Sequence, residues 1–178
     1  MIATTQRMYL RELGYQDAEF IVELLNDPDW LTNIGDRGVQ TTEDAKAYLD
    51  RTYLKMYREY GFGMWLCIRR TDGAKLGCCG IVKRPELEQG DLGFAFLPQF
   101  RGQGYAREAA LVSQQLAVER FNMTSLQAIL LPTNAPSRRL LEHLGFKEIG
   151  SYQFPDDPVK LLLMEWQFIP QKTKEAAN

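Results

Sequence analysis

This chain of 178 residues has little that would carry it across a membrane. No apolar run approaches the ~20 residues a bilayer requires, and no apolar stretch near the start has the character of a signal sequence. Histidine occurs once, at His143, and cysteine three times, at Cys67, Cys78 and Cys79. No Cys, His and carboxylate residues stand at metal-ligand spacing, so no metal is expected. Cys78 and Cys79 are adjacent and on a strand would face opposite sides, which makes them poor partners for each other. They are expected as small, reduced core residues, a usage that points to the cytoplasm. Excess charge of one sign is also lacking. The net charge is −2 and there is no basic stripe, which argues against a nucleic-acid partner. No repeat, linker or low-complexity tract interrupts the chain. The composition, 45% hydrophobic and 25% charged, suits one globular domain. That domain is expected over 1–170, with a disordered polar tail at 171–178.

The most informative stretch is Leu92–Ala106, LGFAFLPQFRGQGYA. An apolar strand meets Pro98, then the turn Arg101-Gly102-Gln103-Gly104, then a helix-forming segment opening with Tyr105-Ala106. Glycines let the backbone turn so that several N–H groups point one way, at the positive end of the next helix dipole. That is a cradle for a diphosphate. It is not a nucleotide P-loop, because no Lys-Ser/Thr follows Gly104. It is not a dinucleotide loop either, because Arg107 stands where the third glycine belongs. An ordinary strand-to-helix turn is the plain alternative.

These residues form the pattern Arg101-x-x-Gly104-x-Ala106, and a second block lies downstream, Asn134-Ala135-Pro136-Ser137 followed by Leu141-Glu142-His143-Leu144-Gly145-Phe146. The two together resemble the GNAT superfamily of acetyl-CoA-dependent N-acetyltransferases. The opening Gln6-Arg7-Met8-Tyr9-Leu10-Arg11 is similar to that of the ribosomal-protein alanine N-acetyltransferase (RimJ/RimL-like) branch.

Apolar periodicity supplies the frame. Strands are expected at 8–13, 63–69, 76–82, 91–97, 126–131, 147–154 and 159–168. Helices are expected from an Asp17 cap to about residue 26, then over 42–60, 105–120 and 136–144, with a loop over 30–40. On the 105–120 helix, Tyr105, Ala109, Val112 and Leu116 share a face beside a strip of alanines. The resemblance implies an α/β (α+β) GNAT acyltransferase fold. Its mixed, mostly antiparallel sheet has about seven strands, helices on both faces and a splayed central parallel pair.

The resemblance also implies a mechanism in which an amine attacks the thioester directly. The donor's pantetheine arm threads the splayed pair near Phe96 and Leu97, with its diphosphate on Arg101, Gly102, Gln103, Gly104, Tyr105 and Ala106. Asn134 bonds cofactor amides. The family's usual acid tyrosine is replaced here by Leu141, so Ser137 is the candidate acid; a plain helix cap is its alternative. Asp91 is the candidate base, with Glu88 behind it. Arg107, Arg138 and Arg139 are candidates for the 3′-phosphate, each equally readable as a surface charge. Trp30, Trp65 and Tyr53 either line an acceptor pocket or are simply core.

An α-amine of pKa about 8 is roughly a fifth neutral near pH 7.4, whereas a lysine amine is only about 0.1% neutral. A site without a dedicated base therefore suits a protein N-terminus. Two alternatives stay open: an acetyltransferase for a polyamine or aminoglycoside, and a non-catalytic acyl-CoA-binding regulatory module. Homodimers are common among similar proteins.

Overall fold

Strand-forming segments rich in Leu, Ile, Cys and Phe alternate with turns along most of the chain, and they assemble into one mixed sheet. The computed structural model describes residues 1–169; the tail expected to be disordered lies outside the described residues. The strands are β1 (Ala3–Thr4), β2 (Met8–Glu12), β3 (Met64–Arg69), β4 (Lys75–Val82), β5 (Gly90–Phe96), β6 (Ser125–Leu130), β7 (Lys147–Tyr152) and β8 (Leu161–Gln167). Their order is β1-β2-β3-β4-β5-β6-β8-β7. The seven expected strands are present, and β1 is an eighth, pairing Ala3 with Leu10. Two residues are too few to show a period of two, so β1 leaves no mark in the sequence.

Helices α1 (Ala18–Leu25), α2 (Pro28–Asn33), α3 (Thr42–Leu49) and α4 (Lys55–Tyr60) precede β3, while α5 (Tyr105–Glu119) and α6 (Ala135–His143) flank β6. On one face of the sheet Phe20, Ile21, Leu24, Trp30 and Leu49 pack against Leu66, Cys78 and Leu97. On the other, Ala109, Ala110, Ala117 and Leu141 pack against Trp65, Cys79, Ile81 and Leu126. A fully buried aliphatic side chain such as Ile21 contributes roughly 1.5–3 kcal/mol. Cys78 and Cys79 fall on opposite faces, as the alternation requires. All three thiols are buried, and burial pushes that of Cys79 up to about 12.

Three local expectations are corrected. Asp17 does not cap α1; its carboxylate is buried against Arg11 and Lys75. The segment around Trp30 is not all loop, because Asp27 caps α2 by accepting from the Trp30 N–H, with Pro28 in the first helical turn. Asp-Pro thus starts a second helix as well as ending the first, since Pro lacks an N–H that the first turn would not use. The helix expected over 42–60 is interrupted by a π turn at Asp50–Leu54. On α5 the small residues turn innermost. Ala109, Ala110, Ser113 and Ala117 are fully buried, whereas Val112 and Leu116 are half-buried.

The feature that positions the site is the parallel pair β5–β6. It is joined only at Gly90–Leu126 and Asp91–Gln127. Beyond Asp91 the strands diverge, and Gly93, Phe94 and Ala95 are half-buried in the middle of the sheet. The expected splay is present, with its vertex at Asp91 and its mouth at the glycine turn. At ~3.3 Å per residue, Asp91 to Phe96 spans roughly 17 Å.

Candidate active site

At the mouth of the splay, the turn after β5 is shaped by Gly102 and Gly104, at φ +71° and +81°. Both are left-handed, a conformation that a side chain disfavours. Gly104 caps α5 without a side chain, and the first α5 N–H with a partner is that of Glu108, which donates to the Gly104 carbonyl. The N–H groups of Tyr105, Ala106 and Arg107 have no partner among the described residues. Three donors at a helix N-terminus form an anion cradle. The residues present therefore fit a diphosphate. The Tyr105 side chain is itself buried under the guanidinium of Arg7, 4.4 Å from its ring centre; only its backbone faces the cradle.

Arg101 does not point into the cradle. Its Nε donates to the Phe96 carbonyl at 2.7 Å, and its two terminal nitrogens donate to Asp27 and Asp29 at the head of α2. Arg7, on the opposite side, donates from Nε to Glu108 at 2.7 Å and from Nη1 to the Gln103 carbonyl at 2.8 Å. The Gln103 side chain bonds back to the Gln99 carbonyl. The turn is thus fastened from both sides, by Arg101 to α2 and by Arg7, the residue just ahead of β2.

Inside the splay, strand alternation decides which backbone groups are free. The Leu97 N–H donates to the Leu76 carbonyl, and Leu97 is buried in the core beneath α1–α3. Its partner strand is β4, so Leu92, Phe94 and Phe96 are the residues whose backbone faces β6. The expected pair of Phe96 and Leu97 is therefore divided: Leu97 turns toward β4 and Phe96 toward the gap, its carbonyl held by Arg101.

At the vertex, Asp91 is 3% exposed. Its carboxylate accepts from Arg84 Nε at 2.5 Å. Burial raises its pKa above the ordinary carboxylate value, and the Arg84 charge works against that rise. Glu88 is exposed on the β4–β5 connection.

Across the gap, Asn134 caps α6 by accepting from the Ser137 N–H at 3.2 Å. The cap is thus Asn134 and not Ser137. The Ser137 hydroxyl is half-buried and makes no hydrogen bond among the described residues. Asn134 retains its amide N–H groups as donors.

Several other candidates separate cleanly. Trp65, Trp30 and Tyr53 are at most 6% exposed, in the core. Arg138 is engaged by Glu142 and Glu148, whereas Arg107 lines an open groove with Arg7 and Gly104. His143 bonds the Arg139 carbonyl at the exposed end of α6. No group of three metal-ligating side chains occurs among the described residues. The sequence reading missed Arg7, Asp27, Gln127 and Glu165, whose partners are remote in sequence, and Arg84, whose partner Asp91 lies seven positions on across the β4–β5 connection.

Residues 7–147 match the acetyltransferase (GNAT) domain, and the chain belongs to that family. It is an N-acetyltransferase, of a family that takes its acetyl group from acetyl-CoA. Over 153 residues it is 26% identical to the uncharacterized N-acetyltransferase YnaD of Bacillus subtilis (strain 168), covering 86% of each chain. It is 25% identical over 157 residues to an FsC-acetyl coenzyme A-N(2)-transacetylase of Aspergillus fumigatus, covering 83% of this chain and 66% of that one. In structure it is similar to RimL, a ribosomal L7/L12 alpha-N-protein acetyltransferase in complex with coenzyme A. The TM-score is 0.78 at 16% identity, over 93% of this chain and 97% of that chain. No helix among the described residues is long and apolar enough to cross a membrane.

Proposed function

We propose that the protein acetylates the α-amine of a protein N-terminus by direct attack on acetyl-CoA, in the manner of the ribosomal-protein acetyltransferase branch. One observation carries the direct-attack part of this reading; the choice of a protein N-terminus rests on the similarity to that branch and on the ready deprotonation of an α-amine. The three free N–H groups of Tyr105–Arg107 lie at the open end of a splay whose closed end holds Asp91. A donor anchored by its diphosphate on the α5 N-terminus, with its amide arm along Leu92–Phe96, would bring the thioester toward that closed end. The roughly 17 Å between Phe96 and Asp91 suits such an arm.

The chemistry is assigned to groups on the two sides of the splay. The amine nitrogen forms a bond to the acetyl carbon, and the bond from that carbon to sulfur breaks. Asp91, its basicity raised by burial, takes the proton the nitrogen loses, directly or through a water; a base with its pKa nearer the working pH is the better catalyst. The unengaged hydroxyl of Ser137 relays a proton from solvent to the departing thiolate. Asn134 Nδ2 donates to the arm, and Arg107 is free for the 3′-phosphate where Arg138 is not.

A second reading, a small-amine acceptor, is favoured by the relative named as an N(2)-transacetylase. Thiol release from acetyl-CoA, measured with alanine- and serine-initiated peptides beside spermidine and an aminoglycoside, separates the two. Faster turnover on the peptides supports the proposal; faster turnover on spermidine or the aminoglycoside replaces it. Tight coenzyme A binding with no turnover on any acceptor points instead to a regulatory module.

A further inference from the structure

The side-chain oxygen Oε1 of Gln127 is buried and has no partner among the described residues. A carbonyl oxygen withdrawn from water in this way destabilises the fold. Such a group asks for a donor from outside the fold. Gln127 is 6% exposed and stands on β6 opposite Asp91 of β5 and opposite Glu165 of β8. Residues paired across strands share a face. The three side chains therefore form a row at the vertex of the splay, on the face away from Leu126 and Ala128, which lie in the core under α5.

The rest of this row is already assigned. Gln127 Nε2 donates to Glu165 at 3.5 Å, so the amide turns its nitrogen toward the carboxylate and its oxygen away. Gln167 donates to the other Glu165 oxygen at 2.7 Å. Asp91 is held by Arg84, whose guanidinium lies 5.8 Å from the centre of the Phe154 ring on the β7–β8 connection. The vertex is thus rich in acceptors, and one of them is unsatisfied.

We infer that Gln127 Oε1 receives an N–H of the acceptor amine and so makes the site selective for primary amines. This rests on the direct-attack reading above. A neutral primary amine presents a lone pair and two hydrogens. Adjacent strands place Asp91 and Gln127 backbones ~4.8 Å apart, which leaves one nitrogen able to address both side chains. One hydrogen leaves to Asp91 as the nitrogen–carbon bond forms. The other stays on the product amide and keeps its bond to Gln127. A secondary amine has only one hydrogen and must forgo one of the two partners.

The test compares a peptide amide beginning with alanine with its N-methylalanine counterpart, for the wild-type protein, Gln127→Met and Glu165→Met. Gln127→Met removes both ends of the amide; Glu165→Met removes the carboxylate that Gln127 Nε2 is tied to but leaves Gln127 Oε1 in place. The inference predicts that Gln127→Met raises KM for the alanine peptide about 10-fold, the worth of one hydrogen bond. It also predicts a narrower preference over the N-methyl peptide, and calorimetric binding of acetyl-CoA that does not move. Glu165→Met keeps both the low KM and the preference. If the two variants behave alike, or KM does not respond, Gln127 is a structural tie to Glu165 and the inference falls. If the wild-type protein binds acetyl-CoA and turns over no amine, the direct-attack reading fails and takes this one with it.

Discussion

Arg101 donates its guanidinium to the carboxylate of Asp27, which is 74 positions earlier in the chain. The glycine turn is thereby fixed to the first turn of α2. This suggests that Arg101 serves the cradle by positioning its backbone. Arg101→Ala is therefore expected to weaken acetyl-CoA binding about 10-fold in calorimetry. The stability loss should be only about 1–2 kcal/mol in urea, because the Arg101 side chain is 35% exposed and its ion pairs are screened. An unchanged Kd would mean that the two glycines hold the turn unaided.

Arg7, just ahead of β2, fastens the same turn through the Gln103 carbonyl and Glu108. Arg7→Ala should raise the acetyl-CoA KM about 5-fold, as expected for loss of one or two charge-assisted bonds acting at a distance. At saturating donor, kcat should be unchanged. A fall in kcat with KM constant would place Arg7 in the chemistry and contradict this role.

Asp17 is fully buried. Burial alone would raise its pKa, but bonds from Arg11, Lys75 and the Gly14 N–H outweigh it and hold the group at about 2. An unfolded aspartate titrates near 3.9. The folded value is the lower one, so ionised Asp17 stabilises the fold above about pH 4. That contribution, roughly 2 kcal/mol, is lost as pH falls from about 4 to about 2. Urea unfolding across this range should show the loss in the wild-type protein and a flatter acid limb in Asp17→Asn. Parallel acid limbs would refute the assignment.

In the proposed mechanism Ser137 and Asp91 carry the proton transfers. Ser137→Ala should lower kcat by about 10–100-fold and Asp91→Asn by about 100-fold, within the range for general acid and base groups, with acetyl-CoA affinity retained. Ser137→Ala with full kcat would leave only the backbone of that residue in the site.

What was legible in the sequence was what the backbone itself demands. Gly102 and Gly104 were found because a left-handed turn into a helix requires them. Gly145 stops a helix by a local rule, whereas the cap of that helix is Asn134, where the sequence offered Ser137. The vertex was half legible: Asp91 could be named, but Arg84 and Gln127 could not, because only the folded register brings them beside it. The opening Gln6–Arg11 looked like a mark of the branch. In the structure its two arginines bind Glu108 and Asp17, so they speak to the fold and not to the acceptor. Asp17 and Asp27 have the composition of caps, and only Asp27 is one; the partners of Asp17 come from β2 and β4, which no local pattern reveals.

The central claim is direct transfer from a cradled donor to an amine, and the most direct measurement is a single-turnover experiment with acetyl-labelled acetyl-CoA. The enzyme is mixed with the donor alone, then with an alanine-initiated peptide, and the label is followed by mass spectrometry. The account predicts no label on the protein, and one labelled peptide for each coenzyme A released. Label on a protein side chain before the peptide is added would contradict direct attack, and no binding of the donor would contradict the cradle at Tyr105–Arg107.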